Sequence, residues 1–409
     1  MVSIKTIIEL FDVCQIENVI ACINLKPQKL IFVGFKNIMT KRRCSALKSF
    51  LSLKGLDDIE VEFEIVSRYD YNSIVDKLNF LIDNNEDCIF DLTGGKELVL
   101  TAMGAVSVER NVPMVQFDVR ENKLNRIRNC DTLELTDKAI INLNECMTLN
   151  GCSVLHNEDG DFNWEFTDDF KDDVEVMWHI CKLNCGLWSR QSKVFESFKK
   201  MGRIDSEFCV VVNIDHMKRC KQDVLLNKKI ISELIKYGLI CNYKLSDGIL
   251  TFKFKNSQVY HCITKAGNIL ELYSYLLIKE IAEEDASYYD DIDLSVYLDW
   301  DGIVHNRKDL EKDTKNEVDI LIIRDLVPIF VSCKNGDVDK DALYELSTVA
   351  SKLGGKYSKK YMIASYLCRD DESYAYLIQR AKDMDIVIID GVHEMNRDEF
   401  KTAIKNKIK

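Results

Sequence analysis

Short apolar runs alternate with stretches of helical spacing through the first third of the chain. This alternation limits the fold more than any other feature of the sequence. Lys29 to Phe35 reads KLIFVGF, Ile59 to Val66 alternates in polarity, and Cys88 to Leu92 and Pro113 to Val119 are again short and apolar. Between them, Thr40 to Lys54, Tyr71 to Ile82 and Lys96 to Arg110 carry the spacing of helices. Short strands buried on both faces, each followed by a crossover helix, predict a parallel, doubly wound α/β sheet. This first unit is expected to span residues 1–135.

At 409 residues the chain exceeds one ordinary core, so further units must follow. In residues 136–263, Cys152 to Phe166 reads as a hairpin about Asp159-Gly160, and Val174 to Met201 and Asp223 to Tyr237 as helices. Ile240 to Phe254 reads as a second hairpin, about Asp247-Gly248. Helices followed by a two-stranded wing fit a winged-helix-like module, and equally a helical linker that only packs its neighbours. Residues 264–409 begin with a helix, Gly267 to Ile281. The strands Asp293 to Trp300, Glu317 to Ile323 and Pro328 to Cys333 follow, and then alternating helices and strands to the end.

No apolar run approaches the roughly 20 residues of a membrane span. Met1 to Ile16 carries Glu9 and Asp12 and lacks a basic start, so no signal peptide is expected. Fifteen cysteines occur without a Cys-x-x-Cys pair. His179, Cys181 and Cys185 come nearest to a metal-ligand cluster, but small buried core thiols are the expected reading, and with no disulfide framework expected at this size the chain is placed in the reducing cytoplasm. The net charge of −12 opposes binding to nucleic acid, whose affinity comes from neutralised phosphates. Carboxylates that hold metal ions would reverse that locally, and Lys352, Lys356, Lys359 and Lys360 form a basic cluster.

Two segments carry chemistry. The first, Asp91-Leu92-Thr93-Gly94-Gly95-Lys96, leaves a strand and enters a helix. Paired glycines let backbone N–H groups approach a phosphate, the helix N-terminus favours negative charge, Thr93 offers a hydroxyl and Lys96 a cation. The spacing fits neither a Walker A loop nor a dinucleotide fingerprint, so a phosphate site and a plain strand-to-helix turn both remain open. The segment, followed by Thr101-Ala102-Met103-Gly104-Ala105, resembles the CARF domain, the Rossmann-like sensor of type III CRISPR systems. Phe11-Asp12 through Glu17-Asn18 to Lys26-Pro27, then Phe32-Val33-Gly34, is similar to the start of that domain in its nuclease-fused members. The resemblance implies a homodimer that binds a cyclic oligoadenylate, cyclic tetra-adenylate above all, as allosteric activator. Thr93, Gly94, Gly95 and Lys96 would lie against it. A second loop after the preceding strand, Phe35 to Lys41, would add Lys36, Asn37 and Thr40.

The second segment is Asn316-Glu317-Val318-Asp319-Ile320 with Phe330-Val331-Ser332-Cys333-Lys334. Two strands joined by a short turn pair as a hairpin. Alternation then aims Glu317 and Asp319 to one face, and Ser332 and Lys334 to one face of the partner. Carboxylates there can bind Mg²⁺ or Mn²⁺, and a lysine can stabilise charge on a phosphodiester undergoing attack. The arrangement resembles the PD-(D/E)XK nucleases, with Asp319 as the first acid, Lys334 as the lysine and Glu271 as the acid of the preceding helix. Ser332 stands where that family has Asp or Glu. Metal would therefore lean on Glu271, Asp319 and the backbone carbonyl of Cys333, with Glu317 or Glu345 supplying further charge. Asp299-Trp300-Asp301-Gly302 and Lys352-Leu353-Gly354-Gly355-Lys356-Tyr357 are also similar to CARF-fused nucleases, which share the serine.

The expectation is thus a ligand-gated, metal-dependent endonuclease acting on single-stranded or nicked RNA or DNA in antiviral defence. Two other readings stay open. One is a ligand-responsive transcription regulator with a degenerate nuclease domain. The other is a ring nuclease, whose sensor domain cuts its own activator.

Overall fold

A computed structural model describes residues 4–131, 133, 135, 138–155, 162–302, 315–368 and 370–409. The apolar runs of the first segment become strands, and the helices between them cross over as the alternation requires. β1 (Thr6–Leu10), β2 (Lys29–Gly34), β3 (Glu60–Ile65), β4 (Cys88–Asp91) and β5 (Met114–Asp118) are parallel, in the order β3-β2-β1-β4-β5. β6 (Lys123–Arg128) closes the edge antiparallel to β5. α1 (Ile20–Leu25) and α2 (Lys41–Leu53) contribute to the core on one face, and α3 (Tyr71–Asp83) and α4 (Glu97–Arg110) to the core on the other. Strand order reverses between β1 and β4, which puts a ligand crevice at the carboxyl ends of these strands. The sequence reading missed β1 and β6. β1 is buried throughout although it contains Glu9, and β6 is polar along most of its length.

The middle segment continues with α5 (Leu143–Leu149) and β7 (Ser153–Leu155), then α6 (Asp168–Lys182) and α7 (Cys185–Lys200). After these come β8 (Cys209–Asn213), α8 (Ile214–Arg219), α9 (Lys228–Lys236), β9 (Ile240–Ser246), β10 (Ile249–Phe254) and α10 (Ser257–Thr264). The β9–β10 hairpin turns at Asp247-Gly248, both with positive φ, as anticipated. β8 joins it as a third strand, in the order β8-β10-β9. The helices and wing of a winged-helix-like layout are therefore present. The hairpin expected over Cys152 to Phe166 is not: β7 instead pairs antiparallel with β11 of the last sheet, and residues 162–167 are not strand. Its expected turn, Asp159-Gly160, lies outside the described residues. Edge pairing with a distant strand supplied the hydrogen bonds that a local hairpin would have made.

The last segment holds α11 (Asn268–Glu284), β11 (Asp291–Asp299), β12 (Lys315–Arg324), β13 (Val327–Lys334), α12 (Lys340–Gly354), β14 (Lys359–Ala364), α13 (Asp371–Asp383), β15 (Ile386–Ile389) and α14 (Arg397–Lys407). Its sheet runs β15-β14-β13-β12-β11-β7, antiparallel through β11, β12 and β13 and parallel from β13 onward. A helix, three antiparallel strands, a helix and a parallel strand follow one another in this unit. The β12–β13 turn places Asp325 and Leu326 at φ 49° and 73°. This two-residue turn matches the strand twist but is unfavourable for leucine. Burial of the Leu326 side chain in the core offsets it.

That core belongs to two sheets at once. Ile20 and Phe50 of the first unit pack in one apolar cluster with Leu149 of α5 and with Leu298, Leu321, Phe330 and Leu353 of the last. The opposite face of the last sheet packs on α11, α6 and α14 in a cluster that reaches into the middle segment. Gly354 lies where this packing is tightest: a Cβ there would fall 2.6 Å from the Phe330 ring, 2.7 Å from Ser358 Cβ and 3.0 Å from Pro328. Gly354→Ala is expected to destabilise the chain by about 1–3 kcal/mol through overpacking. Denaturant unfolding measures this, and a midpoint equal to the parent's would show that the joint yields freely.

Candidate functional site

The β12–β13 hairpin forms as the sequence predicted, with Ile320 opposite Val331 and Leu321 opposite Phe330. Glu317, Asp319, Ser332, Lys334 and Glu345 line one cleft of about 180 Å³ between the strands and α12. Glu345 is exposed on α12. Simple alternation does not hold along β12. Val318 packs into the core shared with the first sheet, whereas Ile320 packs into the core on the opposite face. The face changes at Asp319. On β11 the pairs Leu294–Ile320 and Val296–Val318 flank Ser295, whose φ is 51°. A left-handed residue there twists the strand and frees Asp319 from the regular ladder.

Asp319 is fixed through one oxygen. Its Oδ2 accepts the Cys333 backbone N–H at 2.6 Å and the Ser332 hydroxyl at 3.2 Å. Ser332, the departure from the family pattern, thus orients the neighbouring acid. The Cys333 side chain is buried on the α11 side, and burial holds its thiol well above the ordinary range. Glu271 stands in the first turn of α11 and is 7% exposed. Its carboxylate lies over Gly267, where a Cβ would fall 2.6 Å from Oε1. Burial, then the charge of Asp319, raises the Glu271 carboxyl well above the carboxylate range. Burial likewise raises Asp319, against the hydrogen bond from Cys333 and the charge of Lys334. The sequence reading missed Lys265, which ends α10 and pairs with Glu317 at 3.0 Å. Burial opposes its charge, but Glu271, Glu317 and Asp319 together raise it. Its position beyond a helix end carried no pattern; only the folded loop before α11 brings it to the acids.

Glu271 is held out of water and Asp319 is half-buried; the charge of Asp319 raises Glu271 and that of Glu317 raises Asp319, so a hard divalent cation would relieve the set. Among the described residues, no three His, Cys, Asp or Glu side chains gather to hold an ion by themselves. Oxygen donors of this kind would fit Mg²⁺ or Mn²⁺ only with water and backbone carbonyls completing the shell. His179, Cys181 and Cys185 form no such group. Cys181 is buried and accepts a hydrogen bond from Asn335 at 3.0 Å.

The glycine loop lies at the strand-order reversal, between β4 and α4. Thr93 is used inside the loop: its hydroxyl donates to Asp91 Oδ1 and accepts the Phe117 N–H at 2.8 Å. Asp91 faces Glu9 across the β1–β4 pair, and both carboxyls are raised by burial, Asp91 to about 6. Gly94 is buried, and a Cβ there would meet Asp12 Cβ at 3.1 Å and Glu17 Cβ at 3.2 Å. Gly95 has φ 149°, and a Cβ there would fall 2.8 Å from Leu100 Cδ2. Lys96 is exposed at the N-cap of α4. Across β1, the loop after β2 exposes Lys36 and Asn37, and Thr40 caps α2 by accepting the Arg43 N–H. The two loops flank the end of β1, which leads into Asp12 and Glu17.

Glu17, one of the residues that carry the resemblance, is 3% exposed and links the two units. Its Oε1 accepts the Tyr357 hydroxyl at 2.6 Å and meets Lys356 Nζ at 2.6 Å, both from the connection after α12. Nearby, Arg42 of α2 donates to the carbonyls of Gly151 and Trp300.

This architecture is a CARF-type α/β fold joined to a second α/β sheet, and the resemblance read from the sequence holds for fold along nearly the whole chain. No protein-family model and no curated protein matches the sequence. Among solved structures, protein VC1899 from Vibrio cholerae is 16% identical, with 99% of this chain and 97% of that chain covered, at a TM-score of 0.74. Can2 from Sulfobacillus thermosulfidooxidans, solved in complex with cyclic tetra-adenylate, is 15% identical, with 99% of each chain covered, at a TM-score of 0.70. At these identities the likeness is one of fold.

The raised Glu271 carboxyl makes stability depend on pH. Between the ordinary value of 4.5 and the raised one, the folded chain holds more protons than the unfolded chain. Stability is therefore greatest below that window and is lost as pH rises through it. Glu271→Gln is expected to flatten this slope, to raise the melting midpoint at neutral pH, and to abolish most of the stabilisation that added Mn²⁺ gives the parent. A Glu271→Gln chain with the parent's pH slope and Mn²⁺ response would show that Glu271 is not a ligand.

Proposed function

We propose that the chain is a cyclic-oligoadenylate-activated, metal-dependent nuclease that cuts single-stranded or nicked nucleic acid. Residues 1–135 sense the activator, residues 264–409 cut, and residues 136–263 join them, in a cytoplasmic homodimer. The observation that carries this reading is the approach of Glu271, buried on α11, to half-buried Asp319 on the twisted β12–β13 hairpin, with Lys334 and Lys265 beside them. Such a set is unstable without a cation and has no evident use in packing. The glycine loop at the strand-order reversal, in a fold shared with a protein that holds cyclic tetra-adenylate, supports the sensing half.

Glu271, Asp319 and the Cys333 carbonyl would hold Mg²⁺ or Mn²⁺, which when bound supplies a water acidic enough to attack a phosphodiester. Ser332 and the Cys333 N–H keep Asp319 aimed at the cleft. Lys334 offsets charge that gathers on the phosphate oxygens during attack. Lys265 holds Glu317 by an ion pair and lowers the charge that a phosphate would meet. In the sensor, Gly94 and Gly95 let the backbone come close to phosphate, with Lys96, Lys36 and Asn37 exposed around the crevice. Thr93 and Thr40 brace these two loops.

The winged-helix-like layout of β8, α9, β9 and β10 favours one second reading, a ligand-responsive regulator of transcription. Metal-dependent cleavage in the presence of cyclic tetra-adenylate separates the two. Lys334→Ala is expected to lower the cleavage rate by about 10²–10³-fold, the loss typical for one group that stabilises a developing oxyanion. Activator binding should be unchanged. Turnover close to the parent's would remove Lys334 from the site.

Glu17 gives the coupling a physical route, because it touches the glycine loop and the last sheet together. A ligand that binds at Gly94 can shift activity only through a difference in affinity for two arrangements, and that coupling is reciprocal. A charge-assisted hydrogen bond contributes about 1.5–3 kcal/mol. Tyr357→Phe is therefore expected to reduce the activated-to-basal ratio of cleavage about tenfold. Its affinity for cyclic tetra-adenylate should change correspondingly. Cleavage titrated against activator tests this, and a parent-like curve would show that coupling runs elsewhere.

A further inference from the structure

A larger cleft, of about 870 Å³, opens beside the candidate cutting site and shares Glu317 with it. Its walls come from residues 162–166, the end of α7, the α10–α11 junction and β11. One wall is aromatic. Phe162 stacks on His261 with ring centroids 4.2 Å apart and meets Trp164 edge-on at 4.9 Å. Trp164 is in turn stacked on buried Phe170 at 5.6 Å, which fixes its plane. Phe162, Trp164 and His261 are each half-buried, so part of each ring faces the cleft. Burial, then Lys199, lowers the His261 imidazole to about 4, so at neutral pH it is an uncharged aromatic ring.

The rim is basic where a backbone would pass. Lys199 and Lys200 are exposed at the end of α7, and Lys265 stands between this cleft and the acids of the cutting site. Three carboxylates also line it. Glu196 is paired with Lys200 at 2.7 Å and Glu317 with Lys265 at 3.0 Å; Asp293 is the third. Half-buried ring faces suit flat, apolar ligands, and lysines at the mouth suit phosphate. The two together suit nucleotides whose bases are free to leave a stack. In a duplex the bases are already stacked and paired, and cannot reach such a wall without being unpaired.

We propose that this cleft binds the single-stranded nucleic acid next to the bond that is cut, with a base against Phe162 and Trp164 and the backbone along Lys199 and Lys265. The proposal rests on the cutting-site reading and deepens it: the aromatic wall selects unpaired strands. Stacking on one aromatic side chain contributes about 1–3 kcal/mol per base, which is about 5–150-fold in affinity.

The test uses the full chain carrying Lys334→Ala, so that bound strands stay intact, with Mn²⁺ and cyclic tetra-adenylate present. Fluorescence anisotropy then gives Kd for labelled single-stranded RNA, single-stranded DNA and the matching duplex. Adding Phe162→Ala is expected to weaken single-strand binding at least fivefold and leave duplex binding unchanged. Adding Lys199→Glu, an exposed change that spares the aromatic wall, is expected to weaken it as well and to reduce its salt dependence. Comparison of the RNA and DNA arms identifies which strand the cleft prefers. Single-strand Kd values unchanged by both substitutions, in chains with the parent's melting midpoint, would overturn the proposal. Cleavage by chains with Lys334 intact is measured in parallel. Cleavage whose KM ignores Phe162→Ala and Lys199→Glu overturns the cleft alone. Absence of cleavage with every substrate overturns the cutting-site reading, whatever the binding data show.

Discussion

The structure turns on one buried contact: the Glu17 carboxylate held by Lys356 and Tyr357. A carboxylate taken out of water is tolerated only where hydrogen bonds and opposite charge replace the solvent. Here both replacements come from the other α/β unit, so the charge of Glu17 requires the two units to stay docked. The apolar core shared by both sheets supplies the area, and Glu17 supplies the geometry. A shared apolar face alone would permit sliding; a charge with two partners on one oxygen does not. The segments that carry the family resemblance in the last unit, around Trp300 and from Lys352 to Tyr357, lie largely at this junction. Arg42 bonds the Trp300 carbonyl there, and Lys352 lies 5.8 Å from the Trp300 ring. Part of what looks like a nuclease signature in the sequence is therefore the joint between the first and last units.

Both candidate sites bury carboxylates in pairs and resolve the repulsion differently. Glu9 and Asp91 sit side by side on adjacent strands, and Asp91 is occupied by the Thr93 hydroxyl and backbone. Glu9 Oε1 and Asp91 Oδ2 are buried without a hydrogen-bond partner, and burial keeps both carboxyls raised. Asp319, like Asp91, takes two donors on one oxygen, but there the charges of Lys334 and Lys265 stand near the acids. The first pair meets its repulsion by staying raised in a dry interior, the second by neighbouring lysines.

Much of this was legible in the sequence. Apolar runs marked β2, β4 and β5, and alternating polarity marked β3, because buried and half-buried strands carry strong local signals. The β9–β10 hairpin was legible from its Asp247-Gly248 turn, and β12–β13 from two apolar runs joined by a short turn. β1 escaped because Glu9 interrupts its apolar run, and β6 because it is an edge strand with a polar face. The Cys152 to Phe166 hairpin failed because local alternation cannot tell a neighbouring strand from a distant one. Asp319, Lys334 and Glu271, chosen by type and order, do lie near one another in the structure. Their actual relation depends on Ser295, whose left-handed conformation leaves no mark on composition. Lys265 and the contact at Glu17 depend on tertiary approach, which one sequence does not encode in any local pattern.

The acidic balance of the chain, which argued against nucleic acid at first, takes a different meaning once the charges are placed. Glu317 is paired with Lys265, Glu196 with Lys200, Glu17 with Lys356, and Glu280 and Glu284 with Lys401. Pairs of this kind cancel within a few ångströms, and at physiological salt their fields fade within about 8 Å. A phosphate at the β12–β13 cleft would feel the groups that face it rather than the net charge of −12. Those groups are Glu271, Asp319, Glu317 and Glu345 against Lys334 and Lys265, so the cleft itself is acidic and would attract a phosphate only after a divalent cation offset the excess. Net acidity elsewhere disfavours nonspecific adhesion along a duplex.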